Sequence, residues 1–367
     1  MVIFWMMEVI IAMQTDVSAE AISLLFAPDA QPVIGVRGRT VLFLNPAAQR
    51  LFGDVPSGTA LRRLLPEHAA MHQGSAFFTT ARIRGVPHCI TLSSMPGFRI
   101  FRLEQVRTGT AFPDILAPSD LFSMELGLAA TYFSNYAATQ EDLGPRHYAA
   151  RLEHTAEQLR RWVRNADTLQ RLRHGQAQLS GQLIDCAATL SAIMETVQPM
   201  LDRRGMHIAL SLPESGCSVR ISPELFETLV LNLLSNALRS SPEHSEIRIQ
   251  LMKGTNTAHL VIRDAGEGFP EGVLPDVFHA HAVGALPRSD RRNAGYGLPV
   301  CFAIADHIGG AILIENVRGG GAAVHVVFPL SRSERMTLHA PPDPRDPELR
   351  SVCRTALSDA LSDEDYL

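Results

Sequence analysis

Residues 227–239 read E-T-L-V-L-N-L-L-S-N-A-L-R, and this stretch decides the fold of the C-terminal half of the chain. Its apolar residues recur at helical spacing, and Asn232 and Asn236 lie one helical turn apart on the same face. Two amides on one face of an otherwise apolar helix cost stability unless each finds a polar partner. The stretch therefore predicts a helix that lines a polar site, and a magnesium ion with its phosphates fits.

A strand that ends in a carboxylate follows this helix. In V-I-R-D-A-G-E-G-F (261–269), Asp264 is followed by Gly266 and Gly268. The glycines let the backbone approach a flat ring, while the carboxylate accepts a hydrogen bond from an exocyclic amine such as that of adenine. Taken alone, D-x-G-x-G is more typical of an ordinary turn at a strand end.

Two glycine motifs complete the series. In G-Y-G-L-P-V (295–300), Gly295 and Gly297 open a helix whose N-terminal amides and dipole can hold phosphate. The stretch V-R-G-G-G-A-A-V-H-V-V-F (317–328) is a glycine turn between strands. From about residue 180 to 330, β-rich runs alternate with long helices, which predicts an α/β sandwich.

The series N-x-x-x-N, D-x-G-x-G, a short lid and G-x-G-L resembles the Bergerat-type ATP-binding domain shared by histidine kinases, gyrase B, Hsp90 and MutL, over roughly residues 180–330. The resemblance implies that Asn236 binds Mg2+, that Asn232 supports the phosphate end of ATP, and that Asp264 reads adenine. It implies further nucleotide contacts from Arg239, Gly266, Gly268, Phe278, Gly295, Tyr296, Gly297 and Leu298. The lid arginines either reach phosphate or form a solvated basic loop: Arg288, Arg291 and Arg292.

This chain departs from the family pattern at two positions. Pro299 replaces the glycine usual after G-x-G-L, and Ala322 replaces a common threonine after the glycine turn. Neither change removes a liganding group, and proline in the first turn of a helix loses no needed hydrogen bond. We therefore expect ATP binding to be retained.

The residue at position 232 separates kinases from ATPases within this group. ATP-hydrolysing members place a glutamate one turn before the magnesium-binding asparagine, whereas this chain has Asn232, and an amide cannot act as a general base. We expect slow hydrolysis, which disfavours a gyrase-like or Hsp90-like ATPase. The resemblance is to sensor histidine kinases of two-component signalling, which transfer the γ-phosphoryl group to a histidine on an upstream helical hairpin.

A helical hairpin is predicted over residues 119–178. Ser119 or Asp120 can cap a first helix that runs to about Thr139, and G-P at 144–145 ends it. The second helix carries an apolar seam at spacings of 3 and 4: Leu152, Thr155, Leu159, Trp162, Ala166 and Leu169. Hairpins of this kind commonly pair with a second copy into a four-helix bundle, so we expect a homodimer.

The first hairpin helix carries F-S-M-E-L-G-L-A-A (122–130), where the kinase family has its reactive histidine. The resemblance places Met124 at the histidine position, Glu125 at the acidic position beside it, and Leu128 where an amide or hydroxyl supports dephosphorylation. A thioether cannot attack and hold a phosphoryl group as imidazole does. The candidate acceptors become His147 and His154, which lie seven residues apart, although solvated polar positions are the simpler interpretation of both.

The N-terminal part divides into a helical segment over residues 1–28 and a small sheet domain over residues 29–106. Short β-rich runs enclose the helical phrase N-P-A-A-Q-R-L-F-G, an order that resembles a PAS sensor domain. His88 and Cys89 are adjacent on a strand and point to opposite faces, so we expect structural positions rather than a ligand site.

Composition and charge indicate which binding partners and which cellular compartment to expect. A net charge of -5 and a pI near 6.3 give no electrostatic reason to expect nucleic acid. The five cysteines form no C-x-x-C pair, which favours a reducing, cytoplasmic setting. The apolar opening contains Glu8 and is shorter than the about 20 apolar residues that cross a bilayer, so we expect a packing helix rather than an anchor, with Met13 as an alternative start.

The sequence thus predicts a multidomain α+β protein whose residues 331–367, rich in proline and charge, form a disordered tail. The predicted function is a cytoplasmic, homodimeric sensor histidine kinase that binds ATP and Mg2+ and serves a response regulator. The alternative is a catalytically inactive nucleotide-binding regulator or scaffold that dimerises with an active partner kinase. The sensed signal and the cognate response regulator are not encoded in any of these motifs.

Overall fold

The computed structural model describes residue 23 and residues 26–71, 76–95, 97–105, 145–173, 182–269, 297–317, 319–331 and 338–366. The chain divides into two compact units, Met1–Thr108 and Gly109–Leu367. Each unit has its own set of paired strands and its own buried residues.

The N-terminal unit is built on a five-stranded antiparallel sheet. Its strands are β1 (Val33–Arg37), β2 (Thr40–Leu44), β3 (Ala76–Ile83), β4 (Val86–Met95) and β5 (Phe98–Gln105). They lie in the order β2-β1-β5-β4-β3, and helices α1 (Pro46–Phe52) and α2 (Glu67–Ala70) connect β2 to β3. The β-rich runs predicted between residues 29 and 106 are confirmed as strands.

Asn45 fixes the start of α1 and the start of β1 together. Its Oδ1 accepts hydrogen bonds from the backbone N–H groups of Val33 and Ala48, both at 2.9 Å, so it caps α1 and also holds β1. Its Nδ2 donates to the carbonyl oxygens of Phe26, Asp29 and Gln31. The side chain is fully buried and fully bonded, and the predicted helix led by this asparagine is confirmed.

The C-terminal unit contains a five-stranded mixed sheet and a small three-stranded sheet. The larger sheet has the order β11-β12-β10-β9-β7, and β7 is parallel to β9 while the other pairs are antiparallel. Its strands are β7 (His207–Ser211), β9 (Glu246–Lys253), β10 (Thr257–Arg263), β11 (Ala311–Asn316) and β12 (Ala322–Pro329). The small sheet, in the order β13-β6-β8, contains β6 (Leu183–Asp185), β8 (Ser218–Arg220) and β13 (Leu338–His339).

Three helices cover the larger sheet, namely α4 (Cys186–Leu201), α5 (Pro223–Ser240) and α6 (Gly297–His307). Along β9 and β10, buried residues alternate with more exposed ones, as expected for a sheet with one face against helices. The rings of Phe226 on α5 and Phe328 on β12 lie 5.9 Å apart within this core. The predicted alternation of helices and strands is confirmed, and these elements position the candidate site.

A long helix, α3 (Pro145–Arg173), lies against α6 and against the C-terminal segment, which we define as residues 338–366. This helix begins at Pro145, where the sequence predicted a break between two helices. Trp162, Ala166 and Leu169 of its predicted seam are buried, whereas Leu152 is 52% exposed. The seam as predicted is thus not one continuous buried stripe, since Leu152 is exposed although Ala150, two residues earlier, is buried.

The prediction of a disordered tail from residue 331 is wrong for the C-terminal segment. Asp346 caps α7 (Pro347–Leu357) by accepting from the N–H of Glu348 at 2.9 Å. Leu349, Cys353 and Leu357 recur every four residues on one buried face, and a 3-10 turn follows at Asp363–Tyr366. Composition suggested disorder, but the helical spacing of a few apolar residues is sufficient when α3, α4 and α5 offer a surface.

Within the described ranges, no helix is both long enough and apolar enough to cross a membrane. The five cysteines are all free thiols and all buried.

Candidate functional site

The end of β10 presents Asp264 in a fixed orientation. Its Oδ1 accepts hydrogen bonds from the backbone N–H groups of Gly266 and Ala322, both at 2.9 Å. Burial raises the pKa of this carboxyl above its ordinary value, while these two hydrogen bonds act in the opposite direction. Because both contacts fall on Oδ1, the other carboxylate oxygen is available within the described part of the chain to an incoming N–H donor such as an exocyclic amine.

Glycines allow three backbone segments to meet around this carboxylate. A Cβ atom at Gly266 would overlap the carbonyl oxygen of Ser240, at the end of α5. A Cβ atom at Gly321 would overlap the carbonyl oxygen of Asp264, and Gly321 has a φ of +84°. The D-x-G-x-G loop therefore lies directly between α5 and the glycine turn at residues 319–321, which is why no side chain is tolerated at these positions.

Two supporting residues of this loop were not predicted from the sequence. The side chain of Asn316 exchanges two hydrogen bonds with the backbone N–H and carbonyl of Phe269, both at 2.8 Å. Ser241 Oγ accepts from the N–H of Ala265 at 3.1 Å. A polar residue that ends an apolar strand, immediately before the glycine turn, was the available signal for Asn316.

The two asparagines of α5 have different environments. Asn236 is half-buried, and its Nδ2 is buried without a hydrogen-bond partner among the described residues. Asn232 is 3% exposed, and its Nδ2 donates to Asn165 Oδ1 at 3.0 Å and to the carbonyl of Thr228 at 2.9 Å. The expected polar partner of Asn232 is therefore present, but it is an amide of α3 rather than a phosphate.

The acceptor side of Asn232 is also occupied. Its Oδ1 accepts from Asn165 Nδ2 at 3.0 Å and from Arg161 Nη2 at 3.4 Å. The neighbouring Gly297 begins α6, and a Cβ atom there would lie 3.1 Å from the same Oδ1. Asn232, Arg161 and the first residue of α6 thus converge, which the sequence did not indicate because they are far apart along the chain.

Some of the remaining predicted residues lie within the described ranges, and the others lie outside them. Arg239 is exposed in the last turn of α5, Leu298 is half-buried in the first turn of α6, and Gly268 lies beside Asn316. The predicted residues that fall outside the described ranges are Met124, Glu125, Leu128, Phe278, Arg288, Arg291, Arg292, Gly295 and Tyr296.

The two candidate acceptor histidines differ in exposure. His147 is exposed near the start of α3. The ring of His154 stacks on Tyr366 with a centroid distance of 4.9 Å, its Nδ1 lies 2.6 Å from Asp363 Oδ1, and its Nε2 lies 2.8 Å from the carbonyl oxygen of Ser358. The C-terminal segment therefore occupies both ring nitrogens of His154, which leaves His147 as the accessible one of the pair.

The described residues fit ATP with Mg2+. Asp264 supplies an acceptor for an amine, and Gly266 and Gly321 permit close approach of backbone. The Nδ2 of Asn236, which lacks a partner in the described part of the chain, can donate to a phosphate oxygen, and the oxygen of the same amide is of the kind that Mg2+ prefers. Mg2+ prefers oxygen ligands and keeps several waters, so one amide oxygen is a sufficient protein contribution beside nucleotide phosphates.

The family comparison agrees with this geometry. Residues 221–332 match the family described as histidine kinase-, DNA gyrase B-, and HSP90-like ATPase. This segment is an ATPase domain of that family. The matched range contains α5, β9, β10, α6, β11 and β12, and so includes every described residue around Asp264.

Curated relatives of the ATPase domain are sensor kinases. The chain is 35% identical over 116 residues to sensor protein KdpD of Clostridium acetobutylicum, which covers 31% of this chain and 13% of that protein. It is 24% identical over 184 residues to the adaptive-response sensory kinase SasA of Synechococcus sp. strain JA-3-3Ab, covering 49% and 48%. It is 30% identical over 156 residues to the histidine-protein kinase AfsQ2 of Streptomyces coelicolor, covering 42% and 26%.

The chain spans less than half the length of these curated relatives. Among solved structures, the histidine kinase AdeS of Acinetobacter baumannii aligns with 57% of this chain and 98% of its own, at 18% identity and a TM-score of 0.45. The sequence matches support the sensor histidine kinase family for the C-terminal half.

Proposed function

We propose that this protein is an ATP-dependent protein histidine kinase of two-component signalling. The observation that carries the proposal is the Asp264 loop, in which a half-buried carboxylate is held by two backbone N–H groups, with one oxygen left for an amine, and two glycines bring the loop against the end of α5 within the ATPase domain. Asp264 would accept the exocyclic amine of adenine, Asn236 would hold Mg2+, and the start of α6 at Gly297 would face phosphate. The metal would neutralise charge on the transferred phosphoryl group.

The rest of the chain supports the proposed architecture. The strand order β2-β1-β5-β4-β3 with helices between β2 and β3 is consistent with a PAS-like sensor domain. On α3, Leu152 and Val163 are 52% and 58% exposed and lie about three turns apart on one face, which suits a second copy of the chain. Five buried free cysteines fit a cytoplasmic setting, and a response regulator is the proposed recipient of the phosphoryl group.

A second candidate function is a nucleotide-binding regulator or scaffold without phosphotransfer. The observation in its favour is the identity of residue 124, because the aligned phrase F-S-M-E-L carries methionine where a histidine is expected. The environment of His154 adds to it, since both ring nitrogens are already bonded. If the chain is a kinase, the acceptor is His147 or a histidine of a partner chain.

One labelling experiment separates the two functions. The purified full chain is incubated with γ-labelled ATP and Mg2+, alone and with candidate partner kinases, and acid-labile, base-stable label is measured. Label on the chain that is lost in His147→Gln but kept in His154→Gln supports the kinase with His147 as acceptor. Nucleotide binding without label in either setting supports the regulator, and steady release of phosphate contradicts both in favour of an ATPase.

A further inference from the structure

The N-terminal end of α6 meets a buried cation. A Cβ atom at Gly297 would lie 3.5 Å from Arg161 Nη2 and 3.1 Å from Asn232 Oδ1. The helix runs for 11 residues, so its free N–H groups and its dipole favour negative charge at this end. The guanidinium of Arg161 and the end of α6 both attract an anion, whereas Asn232 Oδ1 is an acceptor that contacts Arg161 Nη2.

Arg161 is buried, and not all of its N–H donors have a partner among the described residues. Its side chain is 5% exposed, its Nη1 is paired with the carboxylate of Asp359, and its Nη2 makes the 3.4 Å contact with Asn232. Its Nε is buried without a partner among the described residues. A guanidinium has five N–H donors and cannot lose its proton in a protein, so an unmatched donor here costs free energy that an additional acceptor would recover.

Asp359 follows α7 in the C-terminal segment, and its side chain is also 5% exposed. A buried ion pair of this kind loses most of its hydration, so each partner depends on the other. Asp359 is therefore an intramolecular anion on the guanidinium of Arg161, and Nη2 of the same guanidinium lies near the start of α6, where the proposed function puts the phosphates of ATP.

We propose that Arg161 and the start of α6 form a subsite for the terminal phosphate of ATP, with Asn232 Oδ1 orienting the guanidinium, and that Asp359 occupies Arg161 until this phosphate displaces it. The inference rests on the proposed function and adds to it a residue from α3 and a competing carboxylate. A phosphate offers more oxygens and more charge than a carboxylate to the same guanidinium, and it bonds in the same forked geometry. ADP lacks the displacing group, so the subsite distinguishes the two nucleotides.

The exchange requires movement of the C-terminal segment. Because Arg161 and Asp359 are both 5% exposed, a phosphate reaches the guanidinium only when Asp359 withdraws. Asp359 lies two residues after Leu357, so its withdrawal loosens the end of α7. ATP binding would thereby be coupled to release of the segment that also bonds His154 through Ser358 and Asp363.

The Arg161–Asp359 ion pair could instead be purely structural or purely inhibitory. Each of these two roles predicts changes in nucleotide affinity that differ from those of the proposed subsite. If Arg161 only holds the fold together, its replacement leaves the ratio of ATP to ADP affinity unchanged. If the pair only blocks the site, replacing either partner tightens ATP binding. The proposed subsite requires opposite signs, with weaker binding on loss of Arg161 and tighter binding on loss of the Asp359 charge.

Calorimetric titration of the full chain with a non-hydrolysable ATP analogue and with ADP, both with Mg2+, tests the subsite. Arg161→Gln should weaken the analogue by about tenfold or more, as expected for one lost charge-assisted contact, with ADP changed less than about twofold. Asp359→Asn should tighten the analogue and leave ADP unchanged. Arg160→Gln is the matched control, because Arg160 precedes Arg161 on α3 but is 68% exposed.

An unchanged or raised ratio of analogue to ADP affinity in Arg161→Gln overturns the subsite while the proposed ATP site stands. Failure of the parent and every variant to bind either nucleotide removes the proposed function itself. If Arg161→Gln does not fold, the test is made on the parent protein by thiol labelling of Cys353, which is fully buried on α7. Labelling should be faster with the ATP analogue than with ADP. Equal labelling rates overturn the proposal.

Discussion

The carboxamides of Asn165 and Asn232 form a reciprocal pair, in which each Nδ2 donates to the other's Oδ1 at 3.0 Å. Residues 67 positions apart on α3 and α5 are thereby joined inside the protein, where both side chains are at most 5% exposed. Buried amides tolerate this position only because each is bonded on both its donor and its acceptor side. The pair fixes the register of α3 on the ATPase domain.

Removing one half of the amide pair should destabilise the nucleotide-free protein. Asn165→Ala leaves a buried donor and acceptor of Asn232 without their partner, so we expect a loss of about 1–3 kcal/mol in the free energy of unfolding. Urea denaturation measures it. The control Gln170→Ala changes an exposed residue of the same helix and should stay within about 0.5 kcal/mol. Equal effects of the two substitutions would mean that α3 is not held by this pair.

Asp264→Asn should abolish nucleotide binding. The substitution can keep an oxygen toward the N–H groups of Gly266 and Ala322, but it replaces the free carboxylate oxygen by an amide that donates. A donor then faces the donating amine of adenine. Calorimetry with ATP measures the loss, and Glu267→Gln, exposed in the same loop, is the control. Retained affinity in Asp264→Asn would place the adenine site elsewhere.

The pH dependence of stability should report the burial of Asp264. Its folded pKa is raised above the ordinary 3.8, so the folded protein binds this proton more tightly than the unfolded chain does. The stability it contributes is fully present below pH 3.8 and is lost as pH rises through the raised pKa. Without nucleotide, Asp264→Asn should therefore gain stability relative to the parent as pH rises through that window. A difference that is flat with pH would contradict the assignment.

Cys353 should report opening of the C-terminal segment. Its thiol is fully buried, and burial raises its pKa to about 12. Asp346→Ala removes the N-cap of α7, worth about 1 kcal/mol, so local opening and thiol labelling should accelerate about fivefold. Mass spectrometry under native conditions measures the rate. Ser351→Ala, exposed on the same helix, should leave it unchanged, and an unaltered rate in Asp346→Ala would show that α7 opens independently of its cap.

The two candidate acceptor histidines should differ in reactivity toward diethylpyrocarbonate. His147 is exposed, whereas His154 lies between Tyr366, Asp363 and the carbonyl of Ser358. We expect rapid modification of His147 and protection of His154. Asp363→Ala removes one of the His154 contacts and should raise its modification rate without affecting His147. Equal rates in the parent would mean that the C-terminal segment does not cover His154.

The sequence by itself determined the elements and the pocket motifs. The β-rich runs became strands, Asn45 capped its helix, and Asp264 with Gly266 formed the loop that the motif D-x-G-x-G indicates. These features depend on residues close together in the chain, where the period of apolar residues and the chemistry of turns act directly. The family match over residues 221–332 rests on the same local motifs.

Only the tertiary structure decided which residues of those elements contact one another. Asn232 was expected to face phosphate but is bonded to Asn165, and Arg161 and Asp359 carried no signal because an arginine in a helix and an aspartate in a charged tail are ordinary in sequence. The C-terminal segment was expected to be disordered because its composition is polar, yet its few apolar residues are buried by surfaces that exist only after folding. Contacts between distant residues depend on which faces are brought together, and no local pattern contains that information.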